Sequence, residues 1–504
     1  MATPSIVISG LSGGSGKTML SLGLARAFVN QGLRVRACKK GPDYIDAAWL
    51  ALAARAPKAN LDPFFTPGPG LRQQFLAACA GYDLALVEGN RGLFDGLDIS
   101  GSCSTAELAR IIDAPVLLVV DCTKMTRTVA ALVKGCIDFE PGLRIGGIVL
   151  NRTGNQRHQS LTQRAVEELA GLPVLGILPR RSTPFINERH MGLSGLDEHA
   201  DADQALDGLA RYISAHVNLE AVLELAAPRP AKAGRAHPEE LFTAADNEAC
   251  APPPTRKAAS RSRTVRIGYV RDAAFWFYYQ ENLDALRRLG AELLPLSLLS
   301  PEAWPAIDGL YMGGGLPELH LEALSANSGA LRHVADLSRS GLPIYAECGG
   351  FIYLCAEIRL HDRSRPMAGV FPHSIEFCPK PQGLGYVEAT VVRQNPFYPV
   401  GLRLRGHEFH FTRNIPPPAE PGTQPGEKAP PGKGGDDMRP DEAAYILELA
   451  RGSGMQKSAA GALDGLCVNN TFAAYTHIYA PAVPQWAESF VSLCRQVSAR
   501  ISHE

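Results

Sequence analysis

Tyr345-Ala346-Glu347-Cys348-Gly349-Gly350-Phe351 follows the apolar run Gly341-Leu342-Pro343-Ile344 and precedes Phe351-Ile352-Tyr353-Leu354. The first run predicts a short buried strand and the last the start of a helix. A cysteine at such a strand-to-helix turn sits at a helix N-terminus. There the macrodipole and free N–H groups favour the thiolate. The two glycines after Cys348 permit a tight turn and close approach of a substrate. This is the pattern of a nucleophile elbow. Taken alone, the turn also suits an inert buried cysteine.

Two further segments favour the elbow. Met312-Gly313-Gly314-Gly315-Leu316-Pro317-Glu318 follows the strand-like Asp308-Gly309-Leu310-Tyr311. Its glycines, Gly314 and Gly315 in particular, can present N–H groups to a developing oxyanion. Ala473-Ala474-Tyr475-Thr476-His477-Ile478-Tyr479 places a histidine at another strand end, where a cysteine nucleophile needs a base. Cys348, the glycine loop and His477 together resemble a class I glutamine amidotransferase. GGGLPE, AECGGF and YTHIY are most similar to its cobyrinic and cobyric acid synthase branch. Most class I glutaminases carry Glu two residues after the histidine, where Tyr479 stands here. The branch it resembles lacks that acid too, which leaves open what orients His477.

The first half opens on Ser5-Ile6-Val7-Ile8-Ser9, a strand, followed by Gly10-Leu11-Ser12-Gly13-Gly14-Ser15-Gly16-Lys17-Thr18 and a helix over 19–29. Strand, glycine-rich loop, Lys-Thr and helix make a phosphate loop. Backbone N–H groups around Gly10, Gly14 and Gly16 cradle phosphates, Lys17 neutralises the outer ones, and the Thr18 hydroxyl reaches Mg²⁺. The strict spacing would put glycine at position 11, which is Leu11. The loop is one residue longer and is similar to that of dethiobiotin synthetase and its amidoligase relatives. A second strand, 34–38, feeds Lys39-Lys40-Gly41-Pro42-Asp43-Tyr44-Ile45-Asp46. Lysines beside aspartates at a strand end suit a site for phosphate, Mg²⁺ and a polycarboxylate, and also a solvated turn. Tyr82 to Gly89 predicts a buried strand ending in Glu88, placed to bind Mg²⁺ directly or through water. Asn90-Arg91-Gly92-Leu93-Phe94-Asp95-Gly96 follows. Asp95 there is as compatible with an ordinary turn as with a substrate site.

KGPDYID, EGNRGLFDG, RDAAFWFYY, GGGLPE, AECGG and RGHEFH as a set resemble the cobyrinic acid a,c-diamide synthase family. The resemblance spans nearly the whole chain. It implies that Lys39 and Asn151 lie with ATP, Asn151 near the base. It implies that Asp43, Tyr44, Asp46 and Asp95 lie near the substrate, and that Thr18, Asp43 and Glu88 lie near the metal. His190, in ERHMGL, also matches the family and equally suits a structural role. RGHEFH, residues 405–410, has no further ligand spaced to complete a metal site. Shaping the glutaminase site or a domain interface fits it better.

Strands over 114–121, 144–150 and 173–179, separated by helical patterns, predict an α/β fold. It is a parallel sheet with helices on both faces and ligands at the strands' carboxyl ends. The expected domains are a P-loop amidoligase domain over 1–227, a flexible linker over 228–264, and an α/β glutamine amidotransferase domain over 265–504. Residues 415–441, rich in Pro, Gly, Lys and Asp, are expected to form a disordered insertion. The 504 residues suit about two to four domains. A net charge of −1 gives no basic field for nucleic acid. No apolar run approaches the roughly 20 residues needed to span a membrane. The 11 cysteines lack paired or metal spacing, and a strand begins where a targeting signal would lie. The expected location is therefore cytoplasmic.

The two halves have a joint chemical logic. A carboxylate becomes an acyl phosphate at the P-loop, and ammonia freed from glutamine displaces the phosphate. The resemblance implies amidation of the a- and c-acetate side chains of cobyrinic acid, with ATP and Mg²⁺. The same chemistry on siroheme, hydrogenobyrinic acid or nickel-sirohydrochlorin stays open. So does a non-catalytic P-loop ATPase with a degenerate glutaminase-like domain. A glutaminase site must open toward an ATP site, within one chain or across a homodimer.

Overall fold

The computed structural model describes residues 3–183, 185–186, 188–189, 192–193, 201–228, 264–360, 362–417, 445–458 and 461–501. The chain divides into two compact units, Met1–Arg256 and Lys257–Glu504. The expected linker, apart from its end residues 228 and 264, lies outside the described residues, as does His190. Residues 418–441 of the expected insertion lie outside them too. Ile415, placed in that insertion, is instead the last residue of the strand Thr412–Ile415, where it pairs with Ser374.

The first unit is built on seven strands: β1 (Ser5–Gly10), β2 (Val35–Lys40), β3 (Asn60–Leu61), β4 (Leu84–Glu88), β5 (Val116–Asp121), β6 (Ile145–Thr153) and β7 (Val174–Pro179). Their order is β3-β2-β4-β1-β5-β6-β7 and every pairing is parallel. Parallel strands need crossovers, and the crossovers cover both faces of the sheet. Side chains alternate accordingly. Ile6 and Ile8 of β1, with Leu84 and Leu86 of β4, join one apolar cluster with helix α1 (Lys17–Asn30) and the helix Ala202–His216. Val7, Ala85 and Val87 join the other, with the helices Pro69–Cys79, Thr105–Ile111 and Thr128–Phe139. Each such buried Val, Leu or Ile side chain contributes roughly 1.5–3 kcal/mol relative to exposure. A one-residue slip of β1 would exchange its two faces, so the packing fixes where β1 ends and its phosphate loop begins.

The second unit has a six-stranded sheet in the order Ala291–Leu296, Val265–Val270, Gly309–Met312, Ile344–Glu347, Thr471–Ala474, Leu466–Val468. All its pairings are parallel except the last. A second six-stranded sheet is antiparallel. In it the short strand His477–Ile478 pairs with Arg403–His410, with His407 opposite His477. The strand expected over 341–344 begins only at Ile344 and runs on to Glu347. Gly341 (φ 79°) turns the chain out of the preceding helix, and Pro343 has no N–H to give a ladder. The following helix begins earlier than Phe351 and is short, Gly349–Leu354.

Two candidate active sites

The first site lies at the carboxyl ends of β1, β2 and β4. Gly16 (φ 96°) turns the phosphate loop into α1. A Cβ there would lie 2.2 Å from Nδ2 of Asn151. That nitrogen donates to the Ser15 carbonyl at 2.8 Å. At the other end of the loop, a Cβ on Gly10 would lie 2.1 Å from Ser15 Oγ. Gly14 also adopts a positive φ, 70°. Lys17 Nζ donates to the Ser12 carbonyl at 2.8 Å, and burial lowers its pKa. The Thr18 hydroxyl donates to Glu88 Oε1 at 2.5 Å.

Lys39 is almost wholly buried. It donates to Asp46 Oδ2 at 2.6 Å and to Glu88 Oε1 at 2.8 Å. Burial opposes its charge, but Asp46 and Glu88 outweigh that and raise it above the usual lysine range. Asp43 Oδ1 accepts the Asp46 N–H at 2.8 Å. Burial, then the Asp46 charge, pushes the Asp43 carboxyl up to about 7. Burial raises Glu88 as well, and its Oε2 is buried without a hydrogen-bond partner. Tyr44 is buried ahead of the helix α2 (Ile45–Ala54). Asn60, which sequence reasoning left without a role, holds the turn by donating to the Gly41 and Asp43 carbonyls. Asp95 Oδ2 accepts the Gly92 N–H at 2.8 Å, so it does serve its own turn. That turn is joined to the phosphate loop by Leu93 N–H and the Gly10 carbonyl, 2.7 Å apart, and the Asp95 charge acts on Lys17. Beyond β5 and β6, Cys122, Lys124, Arg152, Asn155, His158 and Arg180 line a cavity of about 300 Å³.

The second site lies at the end of the strand Ile344–Glu347. Cys348 has φ 46° and ψ −98°, a sharp and strained turn outside the usual regions for a side-chain-bearing residue. Its N–H is held by the Ala474 carbonyl at 2.7 Å, and its carbonyl accepts the Ile352 N–H at 2.9 Å. Gly314 and Gly315 connect this elbow to His477. A Cβ on Gly349 would lie 2.9 Å from the Gly315 nitrogen, and one on Gly314 would lie 2.4 Å from Cε1 of His477. The structure thus brings together the cysteine elbow, the glycine loop and the histidine. The thiolate expected from the helix N-terminus is not favoured: burial, then the Glu318 charge, pushes the Cys348 thiol well above its usual range. The Gly349 N–H acts the other way and is outweighed.

Glu347 and Asp464, which had no sequence-based role, and His407 of RGHEFH build the surroundings of His477. Glu347 Oε2 lies 3.7 Å from His477 Nδ1, both side chains being buried. The His407 ring stacks on His477 at 4.7 Å between centroids, and burial holds its pKa well below the histidine norm. Asp464 accepts the N–H groups of Tyr475 and Thr476 and the Thr476 hydroxyl, which fixes the approach to His477. Glu408 accepts the Ser453 and Gly454 N–H groups. Glu347 lies in AECGG, and His407 and Glu408 lie in RGHEFH, but their contacts are with residues far away in the chain.

A nucleotide-type phosphate loop and a cysteine–histidine elbow define a P-loop ligase joined to a glutaminase. Residues 6–192 match the CobQ/CobB/MinD/ParA nucleotide binding domain, and residues 266–483 match the CobB/CobQ-like glutamine amidotransferase domain. The chain is 37% identical to the cobyrinate a,c-diamide synthase of Magnetococcus marinus, over 98% of this chain and 97% of that one. It is 38% identical to that of Syntrophotalea carbinolica, over 98% and 99%. With that of Archaeoglobus fulgidus the identity is 33%, over 97% of each. The chain belongs to the cobyrinate a,c-diamide synthase family. No helix among the described residues is long and apolar enough to cross a membrane.

Proposed function

We propose that the protein amidates the a- and c-acetate carboxylates of cobyrinic acid in cobalamin biosynthesis, using ATP and glutamine. The observation that carries this is the pairing, within one member of the family, of a Lys17–Thr18–Glu88 phosphate site with a Cys348–Gly314–His477 elbow. In this proposal residues 1–227 form the ligase domain and 265–504 the glutaminase.

At the ligase site the phosphate loop and Lys17 bind the ATP phosphates, with the cavity beside Arg152 and Arg180 suited to the base and ribose. Asn151 acts by holding the loop at Ser15. Asp43, Tyr44, Asp46 and Asp95 face the carboxylate substrate, and Lys39 keeps the acidic cluster from repelling it. Mg²⁺ suits the oxygen donors here: the unpartnered Glu88 Oε2 and the Thr18 hydroxyl, with Asp43 nearby, would hold it together with phosphate oxygens. When bound it would stabilise charge on the outer phosphates. The substrate carboxylate attacks the γ-phosphorus, ADP leaves, and ammonia displaces phosphate from the acyl phosphate.

At the glutaminase site Cys348 attacks the glutamine amide carbon, and N–H groups at Gly314, Gly315 and the elbow receive the oxyanion. His477 takes the thiol proton and returns it to the leaving nitrogen.

Mass spectrometry of products from enzyme, ATP, Mg²⁺ and glutamine, with cobyrinic acid or siroheme in separate tubes, tests the proposal. Two successive acid-to-amide conversions of cobyrinic acid are expected. Conversion of siroheme alone would move the acceptor to another tetrapyrrole. Glutamine hydrolysis without conversion of either would overturn the acceptor and keep the glutaminase.

A further inference from the structure

The glutaminase proposed above needs something to hold its imidazole. The residue two after the histidine is Tyr479, whose ring packs edge-on against Tyr279 at 5.0 Å. The carboxylate that does face His477 comes from the other strand. Glu347 is the last residue of Ile344–Glu347, directly before the nucleophile. Its Oε1 accepts the Ile478 N–H at 3.0 Å, so it grips the backbone next to the histidine. Its Oε2 accepts the Tyr311 hydroxyl at 3.0 Å and lies 3.7 Å from His477 Nδ1. Asn282 braces the arrangement: it donates to Tyr311 Oη and to the Ile478 carbonyl, and accepts the Ala480 N–H. The opposite edge of the imidazole, Cε1 and Nε2, lies against Gly314 in the glycine loop. One nitrogen therefore faces the buried acid and the other lies on the edge against the glycine loop.

A carboxylate this deeply buried is costly to ionise unless it is paired and hydrogen-bonded. Two donors already satisfy it, and His477 becomes its charge partner once the imidazole gains a proton. The other titratable groups around His477 are Cys348, Tyr311, His407 and Asp464; burial holds His407 neutral, and the Asp464 carboxylate is taken up by the Tyr475 and Thr476 N–H groups and the Thr476 hydroxyl. Glu347 is thus the anion placed to stabilise an imidazolium there.

We propose that Glu347 is the positioning residue for His477, doing from the strand before the nucleophile what other glutaminases do with an acid after the histidine. In the first half-reaction the thiol proton passes to Nε2, the S–C bond forms, and the amide C–N bond breaks as Nε2 protonates the departing ammonia. Water then adds to the thioester carbon, giving a proton to Nε2, and the thiol is regenerated as glutamate leaves. Throughout, Nδ1–H points at Glu347. The 3.7 Å separation is longer than a hydrogen bond, and such contacts tighten when substrate closes a site.

Glutamate release from glutamine by the full-length protein tests this. E347Q is expected to lower kcat about 10²-fold with KM within about twofold. E347D should recover part of the loss. An E347Q variant with wild-type kcat would overturn the proposal. Should E347Q fail to fold, ¹⁵N-histidine NMR of the wild-type protein, with H477A identifying the signal, decides instead. A neutral His477 protonated at Nδ1 supports it, and one protonated at Nε2 overturns it. Wild-type protein that releases no glutamate would refute the glutaminase itself, a separate result from the tautomer.

Discussion

The Asn151 side-chain amide donates to the Ser15 carbonyl at 2.8 Å, tying the carboxyl end of β6 to the phosphate loop. The bond joins positions 136 residues apart and holds the last turn before α1. Asn151→Ala removes one hydrogen bond worth about 1 kcal/mol, so Mg-ATP should bind about fivefold more weakly by calorimetry. Gly16→Ala should do far more, because its Cβ would collide with that amide at a positive φ. Unchanged affinity in both variants would show that the loop needs no brace.

Cys348→Ala should abolish glutamine-dependent synthesis and retain synthesis from ammonium salts. Lys17→Ala should abolish both. Product formation by mass spectrometry distinguishes the two. Loss of ammonia-driven synthesis in Cys348→Ala would undercut the assignment of the two chemistries to two sites.

Lys39→Met should destabilise the first unit by about 3–5 kcal/mol, since it strands Asp46 and Glu88 as unpaired buried acids. Denaturant unfolding measures this. A loss under 1 kcal/mol, on the order of a surface ion pair, would mean that the acids are neutral or solvated.

Loss of hydration pushes the Glu318 carboxyl up to about 7. Its folded-state pKa is raised, so the stability it contributes is complete below the ordinary glutamate pKa and is lost as pH rises through about 7. Above that pH its charge also disfavours the Cys348 thiolate. Glu318→Gln should therefore stabilise the protein at pH 8 relative to wild type and speed alkylation of Cys348 by iodoacetamide severalfold. Slower alkylation in the variant would reverse the sign of this interaction.

The local devices were legible in the sequence because they are contiguous. Residues 10–18 and 345–351 carry their strand, turn and helix within a few positions, and the structure places them at strand ends as the patterns predict. What was not legible depends on pairing across distance. His407 meets His477 because Arg403–His410 and His477–Ile478 are adjacent strands, which no periodicity displays. Glu347 was quoted inside the elbow motif, yet its direction follows from the sheet carrying it. The pKa of Cys348 was misjudged for a related reason: the helix-terminus rule is local, whereas burial comes from the whole unit. The start of the strand at Ile344 was misplaced because Pro343 was counted for its apolarity and not for its missing N–H.

The backbone at Cys348, with φ 46° and ψ −98°, sets the enzyme's two requirements against each other at a single carbon. The Cβ that carries the nucleophilic sulfur is also the atom that makes this conformation strained. Glycine there would relax the turn and erase the chemistry. Selection for a sturdier fold and selection for a working thiol therefore pull in opposite directions at position 348. The neighbouring strands hold the turn in place and absorb the difference.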